Sequence, residues 1–348
     1  MHKLFRLSLI PAAAFSLVLS LLSSCGNRQG TVDVSGITIN DVHIERFDRA
    51  FFSLDSNKIL PGLYQLNQQF PWFTSDFVAN ILGAGPLSDT NQLAFQATHQ
   101  FLTSYLPVRD SLEKKYAQLN WLEKELTREF RFIKYYFPGY KLPQKVVAFI
   151  GPFDGPGVAI TPFALAIGLQ SYAGKNSPFY QEGKGLDMFP PYISRRFEPD
   201  YITANCVRAI AEDIYPDSSD NKPLIDQMIM KGKYWWLQDK LMPDVPDSIM
   251  TGYTQQQLKW VGSNEASVWN FFLQNTDLYA VDPDIIKNYI GEGPRTLGMP
   301  DASPGNIGAW VGWQIVKKYA DGHSSISAEE LMRTPARQIF EESKYKPK

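Results

Sequence analysis

The amino terminus fixes where this chain can fold. Positive charge at Lys3 and Arg6 precedes an apolar run from Leu7 to Leu22, and Leu22-Ser23-Ser24-Cys25 follows. That order is a signal peptide ending in a lipobox, in which small residues ahead of a cysteine admit a membrane-embedded peptidase after the thiol has taken a diacylglyceryl group. The run is shorter than the roughly 20 residues needed to span a bilayer, and Pro11 interrupts it. Lipidation of Cys25 then leaves Cys206 as the only free thiol of the mature chain. An exported protein of this kind has no intrachain disulfide available in an oxidising compartment, so its stability must come from packing. Several acyl chains on one residue hold far more firmly than one.

The expected organisation is a cleaved signal peptide over residues 1–24, a lipidated flexible tether over 25–36, and one globular domain over 37–348. Residues 26–36 are small and polar without hydrophobic period, as a tether requires. The net charge of -2, with Lys, Arg, Asp and Glu intermixed along the chain, offers no basic stripe and excludes nucleic acid as a natural partner. Aromatic residues make up 14% of the chain, including 8 Trp and 17 Tyr. In a chain without disulfides, this density points first to aromatic packing, and second to a surface that grips peptide or sugar through Trp235, Trp236, Trp310 and Trp313.

Residues 37–44 alternate with β-branched side chains and predict a short strand. A helical pattern covers 71–82, and Asp89-Thr90 caps another segment running to about Tyr105. Leu112, Tyr116, Leu119, Leu122, Leu126, Phe130 and Ile133 repeat at threes and fours, predicting an amphipathic helix or helix pair. Apolar runs at 146–150, 157–160 and 164–169 predict strands of one small sheet, with the Gly- and Pro-rich stretch 151–157 as a hairpin turn. Helices are predicted over 200–215, 223–241, 254–261, 263–273 and 282–290. Ser303-Pro304 reads as the start of a further helix with a small face at Gly305, Gly308 and Gly312, and Ser327-Ala328-Glu329-Glu330 as the capping box of the last one. The fold class is α+β and predominantly helical, with one small β-sheet.

A search for catalytic groups in the residues themselves finds none in a working arrangement. His43, His99 and His323 are too far apart in sequence to form a helical metal pair. Cys206 sits among Ile202, Val207, Ala209 and Ile210 on a predicted helix, the setting of a buried structural thiol rather than a nucleophile. The 151–157 stretch has prolines where a phosphate loop needs backbone donors, and no Lys-Ser/Thr follows it.

Several phrases resemble the gliding motility lipoprotein GldB family: Arg46-Phe47-Asp48, Phe70-Pro71-Trp72-Phe73, residues 228–233, Gly252-Tyr253-Thr254, Leu258-Lys259-Trp260, Leu278-Tyr279 and, most closely, residues 303–316. The resemblance implies a zincin-like helical domain, because that family is distantly similar to predicted zinc peptidases. In those, a His-Glu-x-x-His helix and a Glu-Gly on the next helix hold the metal. Laid on residues 201–208, the two histidine positions fall on Ala204 and Arg208 and the catalytic glutamate on Asn205, while the third ligand falls on Lys231. Ala offers no lone pair, and the two cations repel a divalent metal. The resemblance therefore implies a degenerate peptidase-like cleft with no metal, no catalytic residue and no cofactor beyond the lipid on Cys25. Arg208 and Lys231 either converge there to hold a carboxylate, or pair locally, Arg208 with Glu212 and Lys231 with Asp226 or solvent.

The implied role is a non-enzymatic accessory of a gliding or secretion apparatus that contacts envelope proteins. The alternatives are an active zinc metallopeptidase relative and a peptide- or glycan-binding lipoprotein. Gly26-Asn27-Arg28-Gln29-Gly30 after Cys25 carries no acid, which favours an anchor in the outer membrane facing the periplasm. Cys25→Ala is expected to abolish labelling with radioactive palmitate and to move the protein from the membrane to the soluble fraction. Unchanged labelling would refute the lipobox reading. Complete digestion of the wild type by protease added to intact cells would refute the periplasmic orientation.

Overall fold

β-Branched and small apolar residues gather in two stretches between Lys145 and Gly168, and these build the sheet. The computed structural model describes residues 32–88 and 92–348, and Asp33–Lys348 forms one compact unit. The signal peptide, Cys25 and most of the tether lie outside the described residues. At the tether's end Val34 is buried and its carbonyl accepts from the Ile37 amide at 3.0 Å, so the ordered body includes residues before 37.

The sheet has four strands, β1 (Ile44–Arg46), β2 (Lys145–Phe149), β3 (Val158–Ile160) and β4 (Ala164–Gly168), in the order β1-β2-β4-β3. β1 and β4 both run parallel to β2, and β3 runs antiparallel to β4. The strand expected over 37–44 is thus displaced to 44–46. The Val42 amide donates to Thr127 Oγ1 and the Ile44 amide to Glu123 Oε1, both at 2.9 Å, so helix side chains take the donors a longer ladder would have used. The 151–157 stretch is not a hairpin turn, because β4 lies between β2 and β3. It carries the chain across the sheet, and the tight turn comes at residues 161–163, where the Thr161 amide donates to the Ala164 carbonyl at 2.8 Å.

Between β1 and β2 run α1 (Phe47–Phe52), α2 (Ile59–Gln69), α3 (Gln92–Ser104), α4 (Leu106–Lys115) and α5 (Asn120–Tyr136). The amphipathic stretch from residue 107 is therefore a helix pair. The helix expected over 71–82 is a short α-turn continuing as a π-helix, Phe77–Ile81. Phe47, Phe51, Phe70, Phe73, Phe77 and Phe101 form a ring-to-ring cluster that reaches Phe149 of β2. Much of the aromatic content is thereby spent on core packing.

After β4 come short helical turns and then α6 (Tyr201–Ile214), α7 (Leu224–Leu241), α8 (Asp247–Thr251), α9 (Gln255–Ser263), α10 (Glu265–Asn275), α11 (Pro283–Ile290), α12 (Ile307–Gly322), α13 (Ala328–Arg333) and α14 (Ala336–Ser343). Helix α6 packs on β3 and β4. Helix α7 is apolar on most sides and is buried accordingly, Trp235 and Trp236 included. Its closest neighbour is α12, because both present glycine at the crossing. A Cβ on Gly232 would sit 2.2 Å from the Gly312 carbonyl carbon, and one on Gly312 would sit 1.8 Å from the Met228 carbonyl oxygen. Of the small face expected at Gly305, Gly308 and Gly312, the last two are on the helix and Gly305 lies ahead of it, because the helix starts later than Ser303-Pro304 suggests. Asn306, at φ +55°, is the N-cap. Ser327 Oγ accepts from the Glu330 amide at 3.1 Å, yet α13 is not the last helix, since α14 follows it.

Two outcomes are expected. Gly312→Ala would force backbone apart and cost about 3 kcal/mol or more in urea unfolding. Gly262→Ala, where the added methyl meets nothing within 4 Å, would be neutral or gain about 0.5–1 kcal/mol. Glu129 on α5 is buried, and burial pushes its carboxyl up to about 8 against the opposing pull of Arg128. A carboxyl raised in the folded state binds protons more tightly there than when unfolded. Its contribution is therefore best below about pH 4 and is lost as pH rises towards 8. Glu129→Gln should leave stability unchanged near pH 4 and raise it by a few kcal/mol, on the order set by 1.4 kcal/mol per pH unit, near pH 9. Parallel pH curves for the two proteins would exclude this origin.

Candidate functional site

A cleft of about 680 Å³ opens between β3, α6, α7 and the segments around residues 196, 252, 292 and 306. Its walls follow from local chain rules. Gly155 and Gly157 in the crossing loop keep one lip thin, and α6 turns Ala204, Asn205 and Arg208 towards the space at one-turn spacing. Helix α7 supplies Lys231, Trp235 and Gln238, again spaced by a turn. All four positions singled out in the sequence, Ala204, Asn205, Arg208 and Lys231, thus line one cleft.

The two cations there are paired. Arg208 Nε donates to Glu212 Oε1 one turn along α6, and its guanidinium lies over the Tyr234 ring, 4.4 Å from the centroid. Lys231 Nζ donates to Asp217 Oδ2 at 2.8 Å. Its partner is neither Asp226 nor solvent. Burial works against ionisation of Asp217, but hydrogen bonds from Lys231 and Ser219 outweigh it and hold the carboxyl below its usual range. At the opposite wall Arg196 donates from both terminal nitrogens to the two oxygens of Glu292, each at 3.0 Å. Arg208 and Lys231 therefore each already have a carboxylate partner within the chain. Asn205 Nδ2 donates to the Tyr172 hydroxyl at 2.9 Å.

Among the described residues, no group of three or more His, Cys, Asp and Glu side chains is placed to hold a metal ion. Cys206 is fully buried, and burial pushes its thiol up, away from thiolate chemistry. Trp236, Trp310 and Trp313 are buried and do not line the cleft, while Trp235, also buried, lines its wall. No helix among the described residues is long and apolar enough to cross a membrane.

Sequence reasoning missed the polar floor. Gln238, 2% exposed, donates through Nε2 to the Ala204 carbonyl at 3.1 Å, while its Oε1 has no partner among the described residues. Asn306 Oδ1, at the start of α12, is also buried without a partner among them. A glutamine inside the run Trp235-Trp236-Leu237-Gln238 was the available signal, because a polar side chain on a helix buried all round calls for a reason.

Comparison with known families bears on the whole of this region. The family model for gliding motility protein GldB matches residues 27–347, which takes in every element of the sheet, the cleft and the α7–α12 crossing. No curated protein and no solved structure matches the chain. With nearly its full length covered, the chain belongs to the gliding motility protein GldB family, a family of lipoproteins.

Proposed function

We propose that this protein is a lipid-anchored envelope component that serves a gliding or associated secretion apparatus by binding a partner protein in its cleft, without cutting it. One observation carries the reading: the cleft is built, yet the positions where a related zinc peptidase would place its ligands and base are Ala204, Arg208, Lys231 and Asn205, gathered around the same space. Ala204 has no donor atom, and Arg208 and Lys231 are cations, which pair through Arg208 Nε with Glu212 and through Lys231 Nζ with Asp217. Water activation by zinc needs three neutral or anionic ligands and an open fourth position, which this set does not supply. A cleft of this size with polar and aromatic walls suits recognition. In this reading the lipid on Cys25 holds the domain at the periplasmic face of the outer membrane, and location supplies what chemistry does not.

Two measurements test it. Extensive dialysis against a chelator is expected to leave the melting temperature unchanged, and the purified protein to contain far less than one zinc per chain. Stoichiometric zinc, or a chelator-dependent loss of stability, would establish the metallopeptidase reading instead. In cells, a photo-crosslinking residue in place of Arg208 or Lys231 is expected to give one discrete adduct with an envelope protein. The same probe at exposed Lys114 should give none, and Asn205→Trp, which fills the cleft, should abolish the adduct. Equal adducts at all three positions would remove the cleft from the reading.

A further inference from the structure

Helix α5 carries acids and cations in close alternation, and the fold sends them opposite ways. Glu123 accepts from the Ile44 amide at 2.9 Å and Glu125 from the Thr203 hydroxyl at 2.6 Å, while Glu129 is buried. All of the helix's acids are thereby turned to the protein. At about 100° per residue, Lys134, Arg131, Lys124, Tyr135, Arg128 and Trp121 fall in that order along one arc of about 140°, and no acid of the helix lies on it. Trp121 is 36% exposed and Tyr135 44%, and they stand near the two ends of the helix, about 21 Å apart along its axis. A helix face that meets only water commonly mixes both signs of charge and has no use for two large rings.

Acids from other segments reach the arc only in part. Asp244 bonds Arg128, and Asp41 lies 3.9 Å from Arg131. Lys124 is exposed with no partner among the described residues, and Lys134 Nζ donates to the Pro138 and Tyr140 carbonyls rather than to a carboxylate. Beside the arc a hollow of about 490 Å³ opens between α5, residues 38–43 and residues 139–144, with Lys134 and Lys141 both on its wall. Lys141 is exposed and also has no carboxylate partner among the described residues. Lys124, Lys134 and Lys141 thus leave this face positive.

The tether decides what such a face meets. Val34, where the chain enters the ordered body, is nine residues from Cys25, a reach of at most about 32 Å. By Asp41 and Val42 the chain is already against α5. A domain held on so short a leash keeps the surface around its attachment at high effective concentration near the lipid.

We infer that the outward arc of α5, with Lys141 beside it, is a docking face for an anionic phospholipid surface, the membrane in which the lipid on Cys25 is seated. Headgroup phosphates pair with Lys124, Lys134 and Lys141, and Trp121 and Tyr135 enter the interface, where amphipathic rings concentrate. Each of these cations raises the docked population about fivefold. This rests on the lipid-anchored reading of the chain and adds which face the anchored domain turns to the membrane.

The test uses the full-length lipidated protein in vesicles of phosphatidylcholine alone or mixed with phosphatidylglycerol. Because Cys206 is buried, a thiol-reactive fluorophore goes to an introduced cysteine. At Asn120→Cys, an exposed position on the arc, it should be quenched by headgroup-labelled lipid in the mixed vesicles and far less in phosphatidylcholine. At Leu273→Cys, exposed on α10, it should be quenched in neither. Adding Lys124→Gln should lower the docked-to-undocked ratio about fivefold, and Lys141→Gln about fivefold again, with an unchanged melting temperature. High salt should act like the substitutions. Equal quenching at Asn120→Cys and Leu273→Cys, or quenching indifferent to phosphatidylglycerol, would overturn the docking face and leave the anchor standing. Wild-type protein that fails to float with either vesicle would defeat both. Quenching that appears only in vesicles carrying envelope proteins would also overturn the inference, by making a protein the occupant of this face.

Discussion

The backbone contact between Gly232 and Gly312 is the constraint on which the rest of the carboxyl-terminal half depends. Two helices normally sit 8–10 Å apart, held off by their side chains, and only glycine at the crossing lets main chain meet main chain. Here Gly232 meets Gly312, and Gly312 meets the carbonyl of Met228. That single approach fixes the roll of α7, because rotation in either direction would bring a side chain into the contact. The roll in turn decides which residues of α7 reach the cleft. Lys231 flanks Gly232, and Trp235 and Gln238 follow at turns of three, so the floor of the cleft is set from a contact at its back. Trp235 is held in that orientation by edge-on contact with Trp313, with ring centroids 6.0 Å apart. Asn306 enters the cleft because α12 starts where this crossing puts it.

A second fastening acts on the far side of α7. Lys233 is buried, and its ammonium donates to the carbonyls of Met332 and Thr334 at the end of α13. Burial lowers the Lys233 ammonium to about 8, with no carboxylate beside it to offset the loss of water. Two carbonyl dipoles aimed at the nitrogen are what make the site tolerable for a cation. The bond joins α7 to the end of α13, so the helix carrying the floor of the cleft is tied to α12 by backbone and to α13 by a buried charge.

The sequence made the helices legible wherever one face alone meets the core. The repeat from Leu112 to Ile133 announced helix through α4 and α5 without placing the break between them, and Gly308 and Gly312 announced close packing before any partner was known. Readings failed where a local signal was answered by a distant residue. Ser303-Pro304 has the form of a helix start, yet the Thr296 hydroxyl donates to the Pro304 carbonyl at 2.7 Å and the Thr296 amide to Ser303 Oγ at 3.3 Å. Those bonds hold the segment as a loop, and α12 begins only after Asn306. Likewise residues 151–157 look like a hairpin turn because strand neighbours in sequence usually pair, but the β2–β4 pairing places a strand between the expected partners. In the cleft, the convergence of Ala204, Asn205, Arg208 and Lys231 was implied by the resemblance to zinc peptidases, and spacing within a helix could not have brought Lys231 to the other three. Asp217, the partner of Lys231, was not implied, because it lies in the loop joining α6 and α7, outside any helical period.

The paired charges of the cleft bear on how such a surface could select a partner. Ion pairs as exposed as Arg208–Glu212 and Arg196–Glu292 contribute about 0–1 kcal/mol to folding, so stability alone gives weak cause for three of them in one place. Their stronger effect is on what may enter. Each cation is held to a carboxylate, so a stray anion gains little from approaching it, and each carboxylate is likewise denied to stray cations.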